Sequence, residues 1–329
     1  MKTKINMLAI LLLTCCVIFP QNNFAQHYAG KVQANGIDIA YESFGAANSE
    51  TFLFITGIGA QLIMWPTDFI DGFVNRGFRV ICFDNRDVGL STKMDTLGMP
   101  DWAAIFPKIG SCETAKLPYT LNDMAKDAIG LMDALKINKA HVLGASMGGA
   151  IAQIIAIHNP ERTLSLTSIM ASSGNPALPP GNPEALKIMG APAPDTQNAA
   201  ELTNYLFGIY KVLDSPLYPT ADSTLLLMAM NSVKRSWYPN GLNRQAAAAI
   251  IADHCDRREQ LSMIKVPTIV IHGEADPIIN CEAAKELATA IPNAKLITFK
   301  GMSHSLPPAL ISEMVEGIVL TINKTNNNN

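Results

Sequence analysis

The chain has 329 residues, 48% of them hydrophobic and 16% charged, with a formal net charge of −3. That length and apolar content suit one large core with a smaller subdomain, and they exclude a chain that is disordered throughout. The slightly acidic balance offers no basic patch of the kind that binds nucleic acid.

At the amino terminus Lys2 and Lys4 precede an apolar run from Met7 to Phe19, which is followed by Pro20 and the polar stretch QNNFAQ. This is the order of a signal peptide. The run of about 13 residues is shorter than the roughly 20 that span a bilayer, so a transmembrane anchor is disfavoured. The expectation is export to the periplasm or the medium, with residues 1–26 removed by cleavage near Ala25 or Gln26. A lipid anchor at Cys15 is the alternative, although Thr14 is a poor residue to precede it. Removal of residues 1–26 takes away two lysines and no acid, leaving 23 basic against 28 acidic side chains. Four cysteines then remain, Cys82, Cys112, Cys255 and Cys281, in a compartment that permits disulfides. Their three possible pairings stay open, and their spacing matches no zinc site. Cys82, inside the apolar run RVICF, reads as a buried strand residue.

From Gln33 onward short β-branched runs alternate with longer amphipathic ones, as in a mostly parallel sheet flanked by helices. The first segment, GKVQANGIDIAYESFG, alternates around Asn35-Gly36, a dipeptide suited to a tight hairpin, and predicts an antiparallel pair. TFLFIT, RVICFD, AHVLGA, LSLTSIM, PTIVIHG and AKLITF are the parallel strand candidates. Helices are expected over Trp65 to Arg76, Leu121 to Leu135, Met147 to His158, Glu282 to Ala290 and Ala309 to Asn323. Thr120 and Asp123 bracket the start of the second as a capping-box variant. At Ser172 the alternation stops: SSGNPALPPGNPEALKIMGAPAP introduces prolines and glycines, and a mostly helical region follows to about Ile264. The expected organisation is a first core part over 27–171, an inserted helical cap over 172–264, a second core part over 265–323 and a disordered tail over 324–329. The cap's Tyr205, Phe207, Tyr210, Trp237 and Tyr238 and its run LLLMAM are candidates to line a hydrophobic pocket beneath a lid.

The stretch GASMGG, Gly144 to Gly149, holds a G-x-S-x-G motif. Such a motif alone arises by chance in about one chain of this length in ten, so its setting has to carry the argument. Ser146 follows the strand AHVLGA and precedes the helix AIAQIIAIH, the strand-to-helix position that a nucleophile elbow requires. So sharp a turn tolerates little bulk at Gly144 and Gly148, while Gly149 allows the helix close approach to the sheet. At a helix amino terminus, backbone N–H groups and the dipole favour a developing anion. A serine hydroxyl needs a histidine base and an acid to orient it, in the chain order serine, acid, histidine. Asp276, in HGEADP after the strand PTIVIHG, and His304, in KGMSHSLP after AKLITF, supply them. His272 and His254 compete for the base, but His272 reads as part of a structural turn and His254 lies among acids at the exit of the cap. The oxyanion hole is expected from the N–H of Met147 and that of Ile58 in the loop TFLFITGIGAQ, where Gly57 opens the turn.

Over roughly Val32 to Asn323 these residues resemble the α/β-hydrolase superfamily. The segments GIGAQLIMWP, RGFRVICFDNRDVGLST, SMGGAIAQIIA, SSGNPALPP, VPTIVIHGEADPI and GMSHSLPP are similar to the branch that includes aclacinomycin methylesterase. The resemblance implies an eight-stranded, mostly parallel sheet with an inserted helical cap, carboxylic ester hydrolysis, Ser146, Asp276 and His304 as triad, and Ile58 with Met147 as oxyanion hole. The apolar character of the cap suggests a medium-sized hydrophobic ester, a small molecule, as substrate, and the mechanism needs no metal or organic cofactor. Arg86 and Asp87, in FDNRDVGLST, are expected to hold their loop together without taking part in the chemistry. Two departures stand out: Thr56 where many relatives have His, and Ser303 and Ser305 around His304. The same triad leaves open a cofactor-free haloperoxidase, a carbon-carbon bond hydrolase or a peptidase, and, in a different class, a ligand-binding receptor with a vestigial triad.

Overall fold

A computed structural model of the protein describes residues 27–110 and 116–326. The expected leader, with Cys15, and Cys112 lie outside the described residues. Eight strands form one sheet: β1 (His27–Ala34), β2 (Ile37–Phe44), β3 (Thr51–Ile55), β4 (Arg79–Phe83), β5 (Ala140–Ala145), β6 (Thr163–Ile169), β7 (Thr268–Gly273) and β8 (Lys295–Phe299). Their spatial order is β1-β2-β4-β3-β5-β6-β7-β8. β1 and β2 form the expected antiparallel hairpin, with Asn35 and Gly36 both at positive φ, as a two-residue turn between right-twisted strands demands. β2 is antiparallel to β4, and every later pairing is parallel.

The strand order reverses at β3, which lies between β4 and β5. In an open sheet of this kind such a reversal opens a crevice at the carboxyl ends of the strands. Here it sets the ends of β3 and β5 side by side, with Ile55 in register with Gly144.

Period-two alternation divides the strand side chains between two cores. Leu53, Ile55, Ile81, Phe83, Val142 and Val270 pack on one face, against α3 (Leu121–Ala134), α4 (Met147–His158) and α10 (Glu282–Ala290). Phe52, Phe54, Val80, Leu143, Ile269 and Ile271 pack on the other, against α1 (Thr67–Val74) and α11 (Pro308–Asn326). Full burial of such a side chain stabilises by about 1.5–3 kcal/mol, which explains why the central strands are apolar on both faces. Thr120 caps α3 through the expected capping box with Asp123. A short helix, α2 (Trp102–Ile105), is capped by Asp101 and was not legible in the sequence pattern. α11 runs to Asn326 and so takes in the first three residues of the expected tail, because neither proline nor glycine interrupts it there.

Between β6 and β7 the chain forms α5 (Pro183–Met189), α6 (Ala199–Leu213), α7 (Asp222–Arg235), α8 (Pro239–Asp253) and α9 (Arg258–Leu261). Asn182 and Asn198 start α5 and α6 by accepting from the first free amides of each helix. Cys82 is a buried free thiol and Cys281 is also free, whereas Cys255 is disulfide-bonded. Among the described residues no helix is long and apolar enough to cross a membrane, and no group of three or more metal-ligating side chains assembles.

Candidate active site

Ser146 joins β5 to α4 with φ 57° and ψ −124°, a conformation that L residues rarely adopt and that costs on the order of 1–3 kcal/mol. Backbone bonds on both sides hold it: its N–H donates to Ile169 O at 2.8 Å, and its carbonyl accepts from Gly149 N at 2.8 Å. The glycines are steric requirements. A Cβ on Gly144 would lie 2.0 Å from Gly148 O, and one on Gly148 would lie 2.0 Å from Ile55 O. On Gly149 a Cβ would stand 2.7 Å from the Ala171 methyl, which is the close approach of α4 to β6.

The neighbouring strand end brings Gly57 to the serine, since a Cβ there would lie 3.2 Å from Ser146 Cβ and 3.6 Å from its Oγ. Ile58 follows, with a side chain 37% exposed. Among the described residues neither the Ile58 nor the Met147 amide donates to a protein acceptor. Both therefore remain available to an anion beside Ser146. Thr56, at the position where histidine was the more familiar residue, binds its own loop through Oγ1 to Ala60 O at 2.9 Å and accepts from Asn85 Nδ2.

Asp276 and His304 meet at the carboxyl ends of β7 and β8. His304 Nδ1 lies 2.7 Å from Asp276 Oδ2, with the carboxylate fully buried and the imidazole 9% exposed. Because Nδ1 donates to the carboxylate, Nε2 carries the lone pair. Asp276 Oδ1 accepts the N–H groups of Ile278 and Ile279. Its Oδ2 also lies 3.2 Å from Nε2 of the buried His272, which in turn sits 2.9 Å from Ile279 O. His272 thus bears on Asp276 from behind, a closer involvement than the structural turn expected of it. Burial opposes ionisation of Asp276, but the charge of His304 and the hydrogen bonds from His272 and His304 outweigh it. They hold the carboxyl well below the usual carboxylate range. His254 bonds back to Ile250 O in its own helix. No hydrogen bond joins His304 to Ser146 Oγ among the described residues, so the acid and histidine are paired while the serine stands apart from them.

Three residues of the helical segment between β6 and β7, the expected cap, complete the setting, and no sequence motif marks them. Ser215 Oγ contacts Ser305 Oγ at 2.8 Å and accepts from Ser303 N at 2.9 Å, so both serines flanking His304 are tied to the cap. Gln245 accepts from Gly59 N at 2.7 Å and donates to Arg86 O at 2.7 Å. Arg244 grips Asp87 with two bonds of 2.8 Å, while Arg86 pairs with Asp127. Arg86 and Asp87 do hold their loop, as expected; Asp87 Oδ1 accepts from Met94 N within the loop at 2.7 Å, and Arg244 ties the same carboxylate to α8. The aromatic residues expected to form a pocket divide. Tyr205 packs edge-on against Trp237, and Tyr210 reaches Met64 and Ser232. Tyr238 instead belongs to the Arg244 anchor, bonded to Asp95 and Arg244. Within LLLMAM, Leu225 and Ala229 are buried, but Leu227 and Met230 point outward.

Comparison with known proteins agrees with this architecture. The sequence pattern of the alpha/beta hydrolase fold matches residues 50–307. Rhodomycin D methylesterase DnrP of Streptomyces peucetius is 25% identical over 296 residues, covering 84% of this chain and 92% of that enzyme. The 3-oxoadipate enol-lactonase 2 of Acinetobacter baylyi is 25% identical over 301 residues, covering 90% and 98%. Among solved structures, the meta-cleavage product hydrolase CumD of Pseudomonas fluorescens IP01 superposes with a TM-score of 0.68 at 19% identity, covering 90% of this chain and 98% of its own. With the sheet order, the elbow and the matched pattern in agreement, the chain belongs to the α/β hydrolase fold family.

Proposed function

We propose that the protein hydrolyses carboxylic esters through an acyl-enzyme, with Ser146 as nucleophile, His304 as general base and Asp276 as orienting acid. The observation that carries this reading is Ser146 held at φ 57° between β5 and α4, with Gly57 against it and a 2.7 Å His304–Asp276 pair at the carboxyl ends of β7 and β8. Storage of backbone strain at one hydroxyl-bearing residue fits a nucleophile that must be presented clear of its neighbours. The named activities of the similar methylesterases and enol-lactonase direct the choice to ester bonds.

In this reading His304 Nε2 takes the Ser146 proton as Oγ attacks the carbonyl carbon, and the N–H groups of Ile58 and Met147 receive the oxyanion. Collapse expels the alkoxide, which leaves with the proton from Nε2. Water then gives a proton to His304 and attacks the acyl-enzyme, releasing the acid and restoring Ser146. The Nδ1 bond to Asp276 keeps the imidazole in the required tautomer throughout.

Turnover of a short p-nitrophenyl ester by purified protein, together with fluorophosphonate labelling, tests the proposal. Ser146→Ala is expected to lower kcat by a factor on the order of 10⁴ or more and to abolish labelling. Undiminished turnover in that variant would falsify it. We also infer that the protein acts outside the cytoplasm, supported by the leader-like order of residues 1–26 and by the disulfide at Cys255. Amino-terminal sequencing of the secreted or periplasmic fraction should find a chain beginning near His27.

A further inference from the structure

The loop that carries Ile58 is held by hydrogen bonds, since the Ile58 side chain is 37% exposed and cannot anchor it by packing. On its amino-terminal side the loop is closed by Ala60 N to Gly57 O at 3.3 Å and by Thr56 Oγ1 to Ala60 O. On its carboxyl side the peptide N–H of Gly59 donates to Gln245 Oε1 at 2.7 Å, across 186 residues of chain. The other end of the same amide donates to Arg86 O at 2.7 Å, and the side chain is fully buried. An N–H on one side and a carbonyl on the other fix which end of the amide is oxygen. Gly59 itself has φ +66°, and a Cβ there would stand 2.8 Å from Leu242 Cδ1, one turn earlier on α8. Gly241, Arg244 and Gln245 thus form one face of α8, set down on the loops after β3 and β4: a Cβ on Gly241 would lie 2.0 Å from Asp87 O.

We propose that Gln245, a residue of the cap, is a positioning residue for the oxyanion hole. By fixing the Gly59 peptide it sets the direction of the adjacent Ile58 N–H, so that seating of α8 on the core and readiness of the hole are one event. The proposal rests on the catalytic reading above and extends it, because it gives the cap a part in transition-state stabilisation beyond enclosing substrate. A donor misaimed by a fraction of an ångström weakens the oxyanion far more than the neutral ester, so the cost falls on kcat.

The test compares wild type with Gln245→Met, which keeps the volume and loses both bonds, and with Gln245→Glu, which still accepts from Gly59 but repels Arg86 O. Steady-state constants for a p-nitrophenyl ester, inhibition by a trifluoromethyl ketone that forms a tetrahedral adduct, and thermal melting are measured on the full mature chain. The Met variant is expected to lose 10- to 100-fold in kcat and a similar factor in ketone affinity, with KM changed less than about threefold. The Glu variant should fall between the two. Wild-type kcat in a folded Met variant overturns the proposal, as does a loss of kcat without any loss of ketone affinity. If the Met variant does not melt cooperatively, the Glu variant decides: reduced kcat at unchanged KM supports the role, and unchanged kcat overturns it. Fluorophosphonate labelling of wild type, lost in Ser146→Ala, reports separately on whether the serine mechanism holds at all.

Discussion

Both carboxylate oxygens of Asp276 are engaged. One oxygen takes two backbone amides and the other faces two imidazoles, those of His304 and His272. Its carboxyl therefore ionises more readily in the folded protein than in the unfolded chain, and the sign of its effect on stability follows. The contribution is fully present above the unfolded Asp range, about pH 4, and is lost as the pH falls further. The gap in urea midpoint between wild type and Asp276→Asn is thus expected to close as the pH drops below about 4. A gap that widens on acidification would show that burial, which acts the other way, dominates. Asp276 and His304 were legible in the sequence because each stands directly after a recognisable strand. Gln245 was not, since a glutamine beside an alanine run in a helix carries no mark that distinguishes a buried bridge from a solvated side chain.

The elbow turns local chemistry into geometry, and it is where an element rather than a residue sets the tolerance. Gly144 and Gly148 face backbone carbonyls, which cannot move aside as a flexible side chain can. Gly148→Ala is expected to destabilise by about 3 kcal/mol, seen as a lowered urea midpoint. Gly149→Ala, which first meets the Ala171 methyl, should cost less. Equal and negligible costs at both positions would mean that α4 does not pack on the sheet as described. The strand AHVLGA and the helix Met147–His158 were readable to the residue because each is a continuous apolar run, with the glycine-rich turn between them and Asn159-Pro160 after the helix marking the ends. The four residues of α2 were not, for too short a segment has no period to show.

At the scale of the whole molecule the cap is bolted to the core by charges that were once separate features of the sequence. Arg244 and Asp87 are 1% and 0% exposed, and Arg235 on α7 reaches Asp84 at 2.8 Å. A buried pair broken on one side leaves an uncompensated charge, so Arg244→Met is expected to cost about 3–5 kcal/mol. Replacing both partners, Arg244→Met with Asp87→Leu, should recover most of it, and a double variant as unstable as the single one would show that the arginine acts through something besides Asp87. By itself the sequence determined the strands, the flanking helices, the elbow and the order of Ser146, Asp276 and His304, because a strand's alternation and a tight turn's need for glycine are settled by near neighbours. Only the tertiary structure decided that His272 backs Asp276, that Ser215 ties down the loop of His304, and that Arg244 and Gln245 join the cap to the loops after β4 and β3. Their partners lie four residues away in the first case and from 88 to 186 in the others, and what selects them is the position of α8 and its neighbours over the strand ends.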